Sequence, residues 1–218
     1  MPRASAADRA EQLNQERAAL AATLRRVGAD APTLVEGWSA RDLAAHVAAT
    51  EEARGIPTFV GRTLVARYGL RLNDTFRPAM AVDLRRFRRH GFEWAVRRLE
   101  RDSPALLIRP MVFPVSAFEI FVHHEDVLRA NDIERQEPSL DLIPSIEWLL
   151  RYHRRMLSDV AVLAVLPDGR EIRGGGEGPV LDIRGTATEV LLSLAGRSVG
   201  TALKVEWTGT GDQPSLRV

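Results

Sequence analysis

The feature that most constrains this chain is a change of hydrophobic period near residue 160. Before it, apolar residues recur every three or four positions; after it, they run continuously or alternate. A stripe with helical period cannot be buried by a strand, and an alternating pattern cannot be buried by a helix. The expectation is an α+β chain, with a helical bundle on 1–159 and a smaller α+β domain on 160–218.

Leu13, Leu20, Leu24 and Val27 define a first amphipathic helix, and Ser5 with Asp8 marks its start. Gly28 to Thr33 breaks it. Ser39-Ala-Arg-Asp42 is an acidic capping box that opens a second helix, the one carrying His46. From Glu52 to Pro78 the glycines and prolines predict broken helix and loop. Asp83 to Arg101 predicts a third helix, and its run Arg85-Arg86-Phe87-Arg88-Arg89-His90 reads as a solvated cationic face. Pro104, Pro110 and Pro114 punctuate a loop. Ser116-Ala-Phe-Glu119 is a second capping box, opening a helix to about Ala130, and Pro144 to Asp159 adds another with Ile146, Leu149, Leu150 and His153 on its stripe.

Beyond residue 160, Val160 to Leu166 predicts a strand ending in the hairpin turn Pro167-Asp168-Gly169. Gly174-Gly175-Gly176 and Gly178-Pro179 predict a flexible loop. Val180 to Arg184 predicts a strand, Thr186 to Ala195 a short helix, and Ala202 to Thr208 a last strand.

Composition removes several function classes. The 30 basic and 29 acidic side chains leave a net charge of +1, no field to recruit nucleic acid or an anionic membrane. No apolar run approaches the roughly 20 residues that span a bilayer, and the N-terminal segment lacks the apolar core of a secretory signal, so a cytoplasmic location is expected. The chain has no cysteine, which excludes disulfides, thiolate metal sites and a cysteine nucleophile. Thiol chemistry would need a thiol from outside.

Leu43, His46, Val47 and Thr50 stand at i, i+3, i+4 and i+7, so His46 projects from the apolar side of its helix. It is either a core imidazole with one satisfied hydrogen bond or a metal ligand. Glu119 and His123 lie one turn apart on a later helix and can grip one ion together. Two nitrogens and a carboxylate drawn from two helices suit zinc with an open position. Glu119 has a competing role as the third residue of the Ser116 capping box, and it cannot fill both. Asp126, three residues after His123, is placed to orient either that imidazole or a bound water. His124 and Glu125 fall on other faces and read as surface or packing groups, His153 as a core or interface residue, and His90 as solvated.

Two stretches carry a resemblance: Thr33-Leu-Val-Glu-Gly-Trp38-Ser39-Ala-Arg-Asp42-Leu-Ala-Ala-His46-Val and Phe118-Glu119-Ile-Phe-Val-His123-His124-Glu125-Asp126-Val127. They resemble the DinB-like superfamily, in particular the actinobacterial branch that includes the mycothiol-dependent maleylpyruvate isomerases. Within that branch the chain is similar to a group of predicted metal-binding proteins with the His-His-Glu-Asp-Val stretch. The first stretch matches a Gly-Trp-(Ser/Thr)-x-x-Asp-Leu-x-x-His signature, which implies His46 as a metal ligand; the second matches a Glu-x3-His pair, which implies Glu119 and His123. The resemblance further implies a DinB-like four-helix bundle with zinc inside one end and a sterol-carrier-like C-terminal domain. The likeness is weak between Glu52 and Pro114, where the bundle's mouth would be formed.

The function expected on this basis is a zinc-dependent thiol transferase or isomerase, with mycothiol as the external thiol and a small electrophile as substrate. A bound zinc ion would stabilise a deprotonated thiol or water and polarise a carbonyl. A metal-hydroxide hydrolase and a non-enzymatic metal- or ligand-binding protein stay open as alternatives. No membrane or nucleic-acid partner is expected, and monomer and homodimer are both compatible with the pattern. Arg197, at the end of the short helix, reads as a surface arginine before an anion-binding one.

Overall fold

The computed structural model describes residues 4–50, 89–135, 138–156, 159–197 and 203–212, with the side chains of 152–156 outside that description. The segment expected as broken helix and loop, Glu52 to Pro78, therefore lies outside the described residues, as do Arg85 to Arg88 of the cationic run. Among the described residues the chain is α+β, with six helices and a four-stranded sheet. It divides into two compact units, one ending at Asp141 and the other running from Leu142 onward.

In the first unit α1 (Ala6–Val27), α2 (Ala40–Thr50), α3 (Phe92–Leu99) and α4 (Phe113–Ala130) pack on one another. The Ser5 hydroxyl accepts from the Asp8 N–H at 3.1 Å and the Asp8 carboxylate accepts from the Ser5 N–H at 2.8 Å, which is the reciprocal cap expected for α1. Leu13, Leu20 and Leu24 of α1, Leu43 of α2 and Phe121 of α4 are fully buried. Burying side chains of this size stabilises the unit by about 1.5–3 kcal/mol each.

Within the described residues the expected third helix does not run through positions 89–91. Arg89 and His90 form a turn, and α3 begins at Phe92 after Gly91 at φ 85°. A left-handed backbone angle interrupts any helix passing through it. The end of α3 is tied to α1 by Arg17, which is buried and donates to the carbonyls of Arg98, at 3.1 Å, and Arg101. Its charge sits where the last helical carbonyls leave a partial negative end.

In the second unit β1 (Ala161–Val165) pairs antiparallel with β2 (Glu171–Gly175) and parallel with β3 (Val180–Arg184), and β3 pairs antiparallel with β4 (Lys204–Trp207). The strand order is β2-β1-β3-β4. The hairpin turn forms as expected, with Gly169 at φ 80°. The register sets Ile172, Val162 with Ala164, Leu181 with Ile183, and Val205 with Trp207 on one face. The helix α6 (Ala187–Leu194) is capped by the Thr186 hydroxyl.

Two expectations change here. Gly174 and Gly175 close strand β2 instead of opening a loop. A Cβ on Gly174 would lie 2.4 Å from the Leu150 Cβ, so a glycine inside the strand admits a helix against it. That helix, α5 (Ile143–Met156), was expected among the bundle helices, and its packing partners are β2 and α6. Ile146, Leu149 and Leu150 make the stripe, all at most 1% exposed. A stripe of helical period needs an apolar surface and does not specify whether helices or a sheet supply it.

Candidate metal centre

Helices α2 and α4 supply the site. At the start of α2 the Asp42 carboxylate accepts from the Ser39 N–H at 3.2 Å and from the Ser39 hydroxyl at 3.1 Å. The helix then buries Leu43 and Val47 with His46 on the same face, His46 only 4% exposed.

On α4 the start differs from the expected one, and the difference bears on the site. The helix begins at Phe113 with Pro114 in its first turn, where proline's missing N–H has no helical partner to lose. Ser116 is already inside, its hydroxyl donating to the Val112 carbonyl at 3.2 Å, so the box between Ser116 and Glu119 does not form. Pro114, expected as a loop residue, is helical. The capping role that competed for Glu119 is thereby removed.

The Glu119 Oε2 lies 3.6 Å from the Nε2 atoms of both His46 and His123. One donor atom from each of the three residues falls within a sphere where none is more than 4.8 Å from another. Tetrahedral zinc with bonds near 2.0–2.1 Å sets its ligands about 3.3 Å apart, close to the 3.6 Å that separates Glu119 from each imidazole. The donor set fits such an ion: two imidazoles and a carboxylate, two of the residues buried and Glu119 half-buried.

His123 is oriented from behind. Its Nδ1 lies 3.1 Å from the Oδ2 of Asp126, which is fully buried, and a proton held there leaves Nε2 as the acceptor facing Glu119. Burial opposes a charge on His123, yet the hydrogen bonds to Asp126 and Glu119 and their negative charges outweigh it and raise the imidazole pKa above its ordinary value. The pocket thus favours positive charge at this nitrogen. The Trp38 ring packs against both imidazoles, with centroids 5.1 Å from His46 and 6.4 Å from His123.

Consecutive residues on a helix diverge by about 100°. His124 accordingly faces α1 and takes no part in the His46, Glu119 and His123 group. It is 4% exposed, with Nδ1 2.7 Å from Glu16 and Nε2 2.9 Å from the Thr23 hydroxyl. Arg135 bridges Glu16 to Glu125, reaching Glu125 at 3.2 Å, and Arg129 holds the other Glu125 oxygen at 2.8 Å. His124 and Glu125 are therefore buried groups with polar partners, where a surface role was one of the expected readings. A signal for this existed, since Glu16 stands between Leu13 and Leu20 on the stripe of α1 and a carboxylate there requires a buried partner.

His90 and Arg197 make contacts of their own. His90 is exposed and stacks on Trp94 at 4.6 Å. The Arg197 guanidinium donates to the Ala195 carbonyl at the end of its own helix, at 3.1 Å. The side chain of His153 lies outside the described residues.

No family model matches the chain, and no curated protein matches it significantly. Two solved structures share its fold. The crystal structure of the mycothiol-dependent maleylpyruvate isomerase aligns over 97% of this chain and 96% of its own, with TM-score 0.59 and 14% identity. A histidine-to-alanine mutant of that isomerase aligns over the same shares at 14% identity, with TM-score 0.60. The chain thus has the fold of these isomerase structures across nearly its whole length.

Proposed function

We propose that this protein is a zinc-dependent enzyme of the thiol transferase or isomerase class, with His46, Glu119 and His123 as the metal ligands, mycothiol as the thiol, and a small electrophile as substrate. The observation that carries the reading is the convergence of one carboxylate and two imidazole donors within 4.8 Å of one another. The full-length likeness in fold to the mycothiol-dependent isomerase supports the choice of thiol. In this reading the first unit is a DinB-like four-helix bundle, the C-terminal unit is sterol-carrier-like, and the protein works in the cytoplasm; no helix among the described residues is long and apolar enough to cross a membrane.

A zinc ion held by three protein ligands supplies Lewis acidity and lowers the pKa of whatever protic group takes its open position. The residues do the rest. Asp126 fixes the His123 tautomer, Glu119 brings a negative charge between the two imidazoles, and burial of His46 and His123 keeps water from competing for their nitrogens. The absence of cysteine means that the sulfur nucleophile comes from the co-substrate.

The test is metal analysis of the purified protein after zinc reconstitution, for wild type, His46→Ala, His123→Ala and Glu119→Gln, followed by titration of the zinc form with mycothiol. One zinc per chain, its loss in the alanine variants and saturable thiol binding are expected. Equal, negligible metal in all four proteins would overturn the metal centre. Metal without any response to thiol would overturn the thiol chemistry alone.

A further inference from the structure

We infer that Trp38 is a positioning residue of the metal centre, an indole that holds the imidazoles of His46 and His123 at the angle a shared ion requires. The inference rests on the metal-ligand reading above. Three rings pack as a closed triangle. The His46 and His123 rings meet nearly at right angles, at 83° with centroids 5.0 Å apart. Trp38 meets His46 edge-on at 60° and lies close to parallel with His123, at 23°. These are the edge-to-face and offset arrangements that the quadrupoles of aromatic rings favour. Trp38 is thus a contact common to both imidazoles, and turning either ring about its Cβ–Cγ bond would push it into the indole or away from it.

The indole is itself held by backbone built for the purpose. Gly37 has φ 74°, the left-handed region that lets the chain turn tightly before Trp38. The Trp38 N–H donates to the Val35 carbonyl and the Trp38 carbonyl accepts from the Thr33 hydroxyl, both at 3.0 Å. The same loop is fastened to α4, with the Leu34 N–H donating to the Asp126 carbonyl and the Asn131 amide to the Pro32 carbonyl, each at 3.0 Å. Asp126 therefore supports His123 through its carboxylate and carries the Trp38 loop through its backbone. An imidazole bonded to a cation gains positive character, and an aromatic face beside it stabilises that charge. Trp38 should therefore contribute to affinity as well as to angle.

The experiment compares wild type, Trp38→Phe and Trp38→Leu by zinc titration against a chromophoric chelator, by the visible spectrum of the cobalt-substituted protein, and by tryptophan emission. Leucine keeps apolar bulk without a ring. The expected result is zinc affinity lowered about 10- to 100-fold in Trp38→Leu, the range seen when a ligand's supporting partner is removed, with an altered cobalt spectrum. Trp38→Phe should recover most of the affinity and the wild-type spectrum, which a purely structural apolar contact would not distinguish from leucine. In wild type, zinc should change the emission, and in Trp38→Phe that change should vanish. Wild-type affinity and spectrum in Trp38→Leu would overturn the inference while leaving the metal centre standing. If Trp38→Leu does not fold, an emission that zinc leaves unchanged in a zinc-binding wild type overturns it just as well. A wild type that binds no zinc refutes the metal centre itself, and this inference with it.

Discussion

Replacing Arg135 by methionine tests how the ionic cluster between α1 and α4 holds the helix that carries Glu119 and His123. Arg135 contacts both oxygens of Glu16 and one of Glu125, and its guanidinium lies 4.7 Å above the Phe121 ring. Glu16 and Glu125 are 2% and 3% exposed, so Arg135→Met leaves two carboxylates in the core. Removing one partner of a buried ion pair costs about 3–5 kcal/mol. Glu16 keeps its hydrogen bond to His124 and Glu125 keeps Arg129, which places the expected loss near the lower end, about 3 kcal/mol. At roughly 2–4 °C per kcal/mol for a chain of this size, the melting temperature should fall by about 10 °C. Thermal and urea denaturation followed by circular dichroism would measure it. In the double variant Glu16→Gln, Arg135→Met the losses should not add, with a coupling of about 1–3 kcal/mol between the two sites. A single-variant loss below about 1 kcal/mol, or strict additivity, would refute the reasoning.

The same cluster sets a pH dependence. Burial opposes ionisation of Glu16, but the His124 hydrogen bond and the Arg135 charge outweigh it and hold its pKa below the ordinary value. A depressed folded-state pKa contributes stability above the unfolded value that is lost as pH falls through the folded one. Wild type should accordingly lose melting temperature in acid more steeply than Glu16→Gln. Asp126→Asn should weaken zinc binding by about 10- to 100-fold in a chelator competition, with the fold retained by circular dichroism. Gly174→Ala should cost about 1–3 kcal/mol or more, and Leu150→Ala should not rescue it, because the obstructing atoms are the Cβ and backbone of Leu150. Thr186→Ala should cost about 1 kcal/mol in denaturant titrations as a lost helix cap, and Ser116→Ala less than half of that, since Ser116 caps nothing.

Much of the fold was legible because its signals are local. The Ser5 cap, the Asp168-Gly169 turn, the stripes of α1 and α2, the short helix after Thr186, and the strands β1 and β3 each depend on residues within a few positions of one another. Misreadings arose where a local signal had two physical outcomes. Ser116 followed by Glu119 is a capping box only if the helix starts there; with Pro114 at an earlier first turn, the same residues lie inside it. The glycines at 174 and 175 resemble a loop until Leu150 supplies the close approach that makes them strand residues. His124 and Glu125 look peripheral beside His123 until α1 presents Glu16 to the opposite face of α4.

The sequence by itself determined the helical period that turns His46 toward an apolar face, the single turn between Glu119 and His123, and the lack of any thiol of its own. These follow from spacing and composition, which the chain carries before it folds. Only the tertiary structure decided that Glu119 stands between two imidazoles from different helices and that Trp38 touches both. The long-range contacts, Glu119 with His46 and Trp38 with His123, link residues 70 or more positions apart in the chain, and their distances depend on how the helices cross, a quantity no local pattern encodes.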